Sequence, residues 1–459
     1  MSPKTALLSR LALAGLVLFG AHAIYASNGM NLIGFGARSI AMAGADLAIT
    51  DSAAAMNINP AGIGWCVQPE LDFGVGLMNP TLTHTDRLGN DREDSLDRYP
   101  MPFLAYVHPV GELTFGVGLF VQGGLGVEYQ DLITPFSALA NSGMLPPGTF
   151  GRSVIPRTDE VKTQLSHMKL TPSVAWRASS TVTLGATLNV SYAEAEMRFF
   201  PETSVLADLD QSGMPGDSPR DMFFGMHVDD VSTFAYGLRL GMQYKKGPLS
   251  IGAAYSTQTD LDFDGGTMAM NLSALGIGKV NYDAQMKDFA WPRQAGVGIG
   301  YRINPKLLIA SDVDWINWSS AIETLTIQID NPDKPGAPPS RSIPFQMNWE
   351  DQWVWALGFE VTPAQRWAAR FGYNHGDSPI PDQYLRPQFP AIAEDHLTGG
   401  FGYSTGRWIF DLALEYVPEV SQTNENPDPS VNPFGPGSTE TLSQFAAHFT
   451  LRRVFSSGK

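Results

Sequence analysis

Val182-Thr183-Leu184-Gly185-Ala186-Thr187-Leu188-Asn189-Val190-Ser191-Tyr192 changes character at every second residue. Val182, Leu184, Ala186, Leu188, Val190 and Tyr192 fall on one side. Thr183, Gly185, Thr187, Asn189 and Ser191 fall on the other. A period of two is the mark of a strand, whose successive side chains point to opposite faces. The alternation returns at residues 71–77, 113–121, 234–244, 353–361, 367–373 and 408–416. In each, one face is apolar and aromatic and the other is small or polar, so the chain reads as all-β.

Composition narrows the class. The 459 residues carry 30 Lys+Arg against 46 Asp+Glu, a net charge of −16. That acidity excludes a nucleic-acid partner, which needs a basic stripe. Charged residues make up only 17% and aromatics 11%, with 46 Gly and 10 Trp, a balance that fits a membrane barrel better than a soluble sandwich. A single Cys rules out an internal disulfide framework and any cysteine-cluster metal site. The eight His show neither H-E-x-x-H nor a paired spacing, so no metal and no cofactor is expected.

The amino terminus supplies an address. Lys4 and Arg10 precede an apolar run over residues 11–21, and the small residues Ala23, Ala26 and Ser27 follow. This pattern predicts a secretory signal peptide over residues 1–26, cleaved after Ala23 or Ala26. No later stretch is long and apolar enough for a spanning helix. A mature chain in a membrane must then close its strands into a barrel, because lipid offers no partner for open backbone groups.

Three features favour the barrel. The second face of each strand is rich in Gly, Ser, Thr and Asn, as a lumen permits. Trp176, Tyr244, Tyr301, Trp367, Trp408 and Tyr416 recur near strand ends, where interfacial girdles form. Short links at 109–112, 178–181, 245–248, 304–306, 362–365 and 404–407 alternate with long ones at 83–99, 131–163, 200–230, 267–290, 328–350, 375–396 and 418–442. Short periplasmic turns and long external loops are the outer-membrane pattern, and about 390 residues supply about 14 such strands.

Residues 27–68 do not alternate. They are rich in Gly and Ala, with Arg38, Asp46 and Asp51 as their charges, too irregular for a lipid-facing strand and too apolar for an exposed tail. A compact piece inside the barrel satisfies both conditions. Gly34, Gly36, Met42, Gly44, Asp51 and the closing Asn59-Pro60-Ala61 resemble the hatch of the outer-membrane FadL/TodX family. Further likenesses lie in Lys169-Leu170-Thr171-Pro172-Ser173, Asp262-Phe263-Asp264-Gly265, Trp315-Ile316-Asn317-Trp318-Ser319 and Asp377-Ser378-Pro379-Ile380-Pro381. The resemblance implies a 14-stranded antiparallel barrel (residues 69–459) with an N-terminal hatch (residues 27–68) in its lumen. It implies passive uptake of long-chain fatty acids or related hydrophobic compounds across a Gram-negative outer membrane, by a monomer surrounded by outer-membrane lipid. An aromatic-hydrocarbon transporter of the same family and a general porin remain the alternatives.

The residues support transfer without bond-making. Gly402-Tyr403-Ser404-Thr405-Gly406 matches a nucleophile-elbow pattern, but it falls in a tight turn between two expected strands and not before a helix. No catalytic residue is expected. Burying one CH₂ is worth about 0.8 kcal/mol, so a 12-carbon chain gains on the order of 10 kcal/mol before binding costs. Two apolar segments in long links suit that capture: Phe199, Phe200, Phe223, Phe224 and Met226 in one, Met268, Met270 and Leu272 in the other. Gly123 and Gly124 interrupt a strong strand pattern and are the expected kink. The resemblance makes that kink a lateral opening beneath the hatch, and Arg198 a lumenal partner for a carboxylate. Residues 319–331, where such relatives can supply a second base, contain Glu323 and Asp330 but no Lys or Arg.

Overall fold

The computed structural model describes residues 28–95, 98–144, 149, 151–208, 212 and 222–456. The expected signal peptide lies outside the described residues. Fourteen antiparallel strands close into a barrel. They are β1 Glu70–Thr85, β2 Tyr99–Val110, β3 Leu113–Leu132 and β4, which comes in two pieces, Asp159–Leu170 and Ser173–Arg177. There follow β5 Val182–Leu206, β6 Met222–Lys246, β7 Leu249–Ser256, β8 Gln294–Asn304 and β9 Leu307–Ile316. The last five are β10 Gln352–Ala364, β11 Trp367–Gly376, β12 Asp395–Ser404, β13 Trp408–Asn424 and β14 Ser438–Val454. Closure comes from β1 on β14, in unbroken register from Glu70 opposite Val454 to Thr85 opposite Thr439. Neighbouring barrel strands are successive in the chain, an up-and-down order that leaves no edge to lipid. No helix among the described residues is long and apolar enough to cross a membrane.

The alternation seen in the sequence becomes an inside and an outside. Along β10, Trp353, Trp355 and Leu357 are exposed while Gln352, Val354 and Ala356 are buried. Trp353 and Trp355 are each 57% exposed, a state that water would make costly and lipid makes favourable. Trp176, Tyr301, Trp367 and Trp408 are exposed near the short turns, as an interfacial girdle requires.

The long links are more ordered than their composition suggests. β5 runs on past Phe199 to Leu206, and β6 begins at Met222. The outer end of β6 pairs with a hairpin, Phe263–Leu272 and Gly278–Lys287, which pairs in turn with Thr324–Asp330, itself paired with Ser340–Gln346. These pieces form a β-ledge above the barrel wall. Register shifts explain why a simple period missed it. β5 slips against β6 between Ala195 and Met197 and again between Phe199 and Ser204, where Phe200 takes a positive φ of 45°. Each slip exchanges the faces of the residues beyond it.

Residues 28–66 occupy the lumen. A short helix at Ala37–Ala41 and two 3₁₀ turns, Ala53–Asn57 and Pro60–Trp65, carry most of the segment. The wall makes room with glycine. A Cβ on Gly185 would overlap the Pro60 backbone, one on Gly241 the Asn59 side-chain oxygen, and one on Gly252 the Leu47 carbonyl. The wall also supplies partners for the irregular backbone. Asp312 accepts from the amides of Asp46 and Leu47, both at 2.7 Å, and Gln243 donates to the carbonyls of Leu47 and Thr50. Arg239 donates to Ile58 and Arg177 to Gly64. Buried backbone groups need such partners, and these side chains of the wall provide them.

Gly241→Leu is expected to push the Asn59 turn off the wall while leaving the barrel closed. Single-channel conductance in planar bilayers should rise well above that of the unaltered protein, with heat-modifiable migration on gels retained. Unchanged conductance would mean that the segment yields elsewhere.

Candidate functional site

Three regions bear on transfer: an apolar groove at the outer mouth, a disturbed stretch of β3, and the lumenal segment.

The groove is a cavity of about 800 Å³ at the outer end of β5 and β6. Phe199, Phe200, Phe223, Phe224, Met226 and Met270 line it. The two apolar segments expected from the sequence are brought together, because they pair as strands with Met226 opposite Met270 and Val228 opposite Met268. Met268 and Leu272 are fully buried behind the lining. The aromatic rings pack on one another. Phe199 stacks on Phe200 at 4.3 Å between centroids, Phe223 meets Phe199 edge-on at 5.7 Å, and Phe200 meets Phe434 edge-on at 5.6 Å. The volume falls within the roughly 300–1,000 Å³ of small-molecule sites.

The groove has an apolar continuation. One contiguous cluster of buried side chains includes Phe199 and Phe200 above, Val231 and Trp318 between, and Val121, Leu125 and Met30 below. It joins the outer groove to the lumenal segment and to β3.

Gly123 and Gly124 sit where β3 loses register. The pairing with β4 shifts between Val121 and Gly123. Gly123 forms an isolated bridge with Asn31 of the lumenal segment, and a Cβ there would overlap the Met30 carbonyl oxygen. A Cβ on Gly124 would overlap the Leu165 carbonyl. A polar knot secures the contact. Trp291 donates to Asn31 Oδ1 at 2.9 Å, and Asn57 donates to Gln122 Oε1 at 2.9 Å. His167 meets Trp291 edge-on at 4.5 Å and shares a hydrogen bond with Ser191. Asn31, Gln122 and Trp291 were not expected from the sequence, since polar residues distant along the chain show no common pattern.

Asn59 anchors the tripeptide Asn59-Pro60-Ala61. Its amide nitrogen donates to the carbonyls of Leu47 at 2.8 Å and Met242 at 3.0 Å, and its oxygen caps the Pro60–Trp65 turn at Ala61. Arg38 binds Asp51 at 2.8 Å and Glu360 at 3.1 Å, tying the segment to β10. Arg370 continues the chain of charges from Glu360 to Asp411. The cavity left beside these groups holds only about 30 Å³, the room of a water or two.

Arg198 lies on β5 below the groove and does not line it. Glu160 at 3.0 Å and Glu196 at 2.9 Å already bind its guanidinium. A ligand carboxylate there would have to displace one of them. Glu196, His227 and Asp229 lie close enough to hold a metal ion. Glu196 is, however, already bound by Lys162 at 2.6 Å and by Arg198, so two cations stand where an ion would enter. Ser404 closes the hairpin between β12 and β13, where its hydroxyl accepts from the Gly406 amide.

Residues 136–448 match the family described as outer membrane protein transport protein (OMPP1/FadL/TodX), more than half of the chain. The chain belongs to this family. Its members are transport proteins and not enzymes. Among solved structures, the fold is similar to the toluene transporter TodX of P. putida, with a TM-score of 0.72 at 19% identity over 93% of this chain and 100% of that one. The Ralstonia pickettii toluene transporter TbuX gives 0.69 at 22%, and a Pseudomonas aeruginosa FadL homologue 0.70 at 15%, each with the same coverage. A Chlorobium limicola relative, an uncharacterised protein of the phosphoenolpyruvate carboxykinase gene 5′ region, is 40% identical over 87 residues. That match takes in 18% of this chain and 42% of the relative's length.

Gly123→Val is expected to break the contact with Met30 and loosen the upper end of the lumenal segment. Alkylation of a cysteine placed at Met30 should then accelerate roughly tenfold or more, read by mass spectrometry of that peptide, because local opening governs access to a buried site. An unchanged rate would show that Gly123 does not hold this end.

Proposed function

We propose that this family member takes up hydrophobic molecules across the outer membrane by passive diffusion. The observation that carries the reading is the unbroken apolar cluster from the outer groove to the disturbed stretch of β3. A ligand is first captured among Phe199, Phe200, Phe223, Phe224, Met226 and Met270. Apolar burial supplies the affinity, and flexible methionines accept varied shapes. The ligand then follows the apolar cluster downward. Residues 27–68 act as a hatch, with Asn59, Pro60 and Ala61 as its anchor, so the lumen is closed to ions and water. Exit is lateral, at Gly123 and Gly124, where β3 and β4 lose register beneath the ligand's path. Residues 1–26 are a signal peptide, and residues 69–459 form the barrel, working as a monomer in outer-membrane lipid.

Long-chain fatty acids rank modestly ahead of aromatic hydrocarbons as cargo. The groove and the apolar cluster behind it offer an extended tail apolar surface to bury. The hydrocarbon alternative is favoured by Phe389-Pro390-Ala391-Ile392-Ala393-Glu394-Asp395-His396, which looks more like the hydrocarbon branch. A general porin needs an open hydrated lumen, and the contacts of residues 28–66 with the inner wall speak against it.

Titration of the purified barrel in lipid nanodiscs with oleate, its methyl ester and toluene tests the reading. Binding of at least one is expected, and failure of all three would return the porin to first place. Phe223→Ser removes a half-buried aromatic ring from the groove's lining. It should weaken binding roughly tenfold or more, since apolar burial supplies the affinity. Equal affinity in this variant would remove the groove from the path.

A further inference from the structure

The groove is unusual in its charge. In a chain with 46 Asp+Glu against 30 Lys+Arg, the described residues lining this cavity include Arg341 and Arg386 and not one acid. Arg386 lies in the link between β11 and β12 and is only 3% exposed. Its Nη2 donates to the Ser430 carbonyl at 2.9 Å, and its guanidinium lies 5.7 Å from the Phe345 ring centroid. Its Nε is buried and finds no acceptor. Other buried arginines are treated differently. Arg370 is bound by Glu360 and Asp411, and Arg452 by Asp72. Arg239 donates to the Ile58 carbonyl and Ser256. Among the described residues, no carboxylate lies within ion-pair distance of Arg386.

The backbone around Arg386 is fixed. Asn424 donates to the Leu385 carbonyl at 2.8 Å, and the Phe389 amide donates to the Arg386 carbonyl at 3.0 Å. The guanidinium is therefore held in place before any ligand arrives. Burial pushes its pKa down to about 10, with the Asp428 charge acting in the opposite direction, so it stays protonated at neutral pH. A buried cation with a free donor, at an apolar cavity without acids, is half of an ion pair.

We propose that Arg386 is an anion anchor in the outer groove. It receives the carboxylate of a long-chain acid whose tail lies among Phe199, Phe200, Phe223 and Met226. The inference rests on the groove's proposed role in capture and assigns it a substrate class. A neutral hydrocarbon fills the cavity but leaves the guanidinium charge without an anion, whereas a carboxylate supplies one. Selection thus begins at first contact, above the lumen and apart from Arg198, whose charge is met by Glu160 and Glu196. Arg341 stands nearer the open rim, half-buried, and adds a second positive charge to the approach.

The test is equilibrium binding of radiolabelled oleate and methyl oleate to the full-length barrel in neutral-lipid nanodiscs. Unaltered protein, Arg386→Gln and Arg386→Lys are compared. A charge-assisted hydrogen bond predicts a preference for oleate over its ester of roughly tenfold or more. Arg386→Gln should lose that preference by weakening oleate alone, and Arg386→Lys should keep part of it. Equal binding of acid and ester by the unaltered protein overturns the anchor while leaving the groove intact. So does a variant that weakens both ligands together, which would mark Arg386 as structural. If the unaltered protein binds neither ligand, the anchor is overturned, and toluene binding alone then decides the capture reading. Should Arg386→Gln not fold, Arg386→Lys decides: retention of part of the preference supports the anchor, and unchanged acid and ester affinities overturn it.

Discussion

Closure of β1 on β14 is the constraint on which the rest of the structure depends. Lipid leaves a backbone amide no partner, so a sheet in a membrane must have no free edge. Once the ends meet in register, inside and outside follow from the two-residue period. Tryptophan and leucine face lipid, and small or polar side chains face a lumen that must be filled. The lumenal segment answers that second requirement. Its irregular backbone is satisfied by Asp312, Gln243, Arg239 and Arg177 reaching inward from the wall.

The lumenal packing explains why so much glycine stands on the inner face. Gly185, Gly241 and Gly252 are places where the wall backbone and the segment approach within the space of a methyl group. The glycines are not there to bend the strands. They bring the Asn59-Pro60-Ala61 turn close enough for Asn59 to donate to the Met242 carbonyl. Gly123 plays a similar part at the other end of the segment, with the difference that the wall itself gives way there. The loss of register, the bridge to Asn31 and the end of the apolar cluster coincide within a few residues. The disturbed stretch of the barrel wall thus lies against the piece that fills the barrel.

The outer groove depends on a different device. β5 and β6 rise beyond the membrane and carry a hairpin, so the apolar segments of two separate links meet as paired strands. Pairing satisfies their backbones and leaves their side chains to form one aromatic cluster. Phe200, which lines the cavity, steps out of register with a positive φ in a tightly packed surrounding. Such a conformation persists only where neighbours enforce it, here Phe199, Phe223 and Phe434.

Several features were legible in the residues alone. Alternation, small-residue lumen faces and the rhythm of short and long links specify the barrel and its strand number, because each is a local property with a fixed period. The plug-like character of residues 27–68 was readable from their composition. The apolar residues at 199–226 and 268–272 were recognisable as a pair, though not as paired strands. Tertiary structure alone decided which polar groups face each other across long stretches of chain. Arg198 looked available and is bound on both sides by acids. Arg386 gave no signal and stands in an acid-free cavity. Charge complementarity depends on neighbours that strand order and register bring together, and neither register slips nor distant loops leave a period to read.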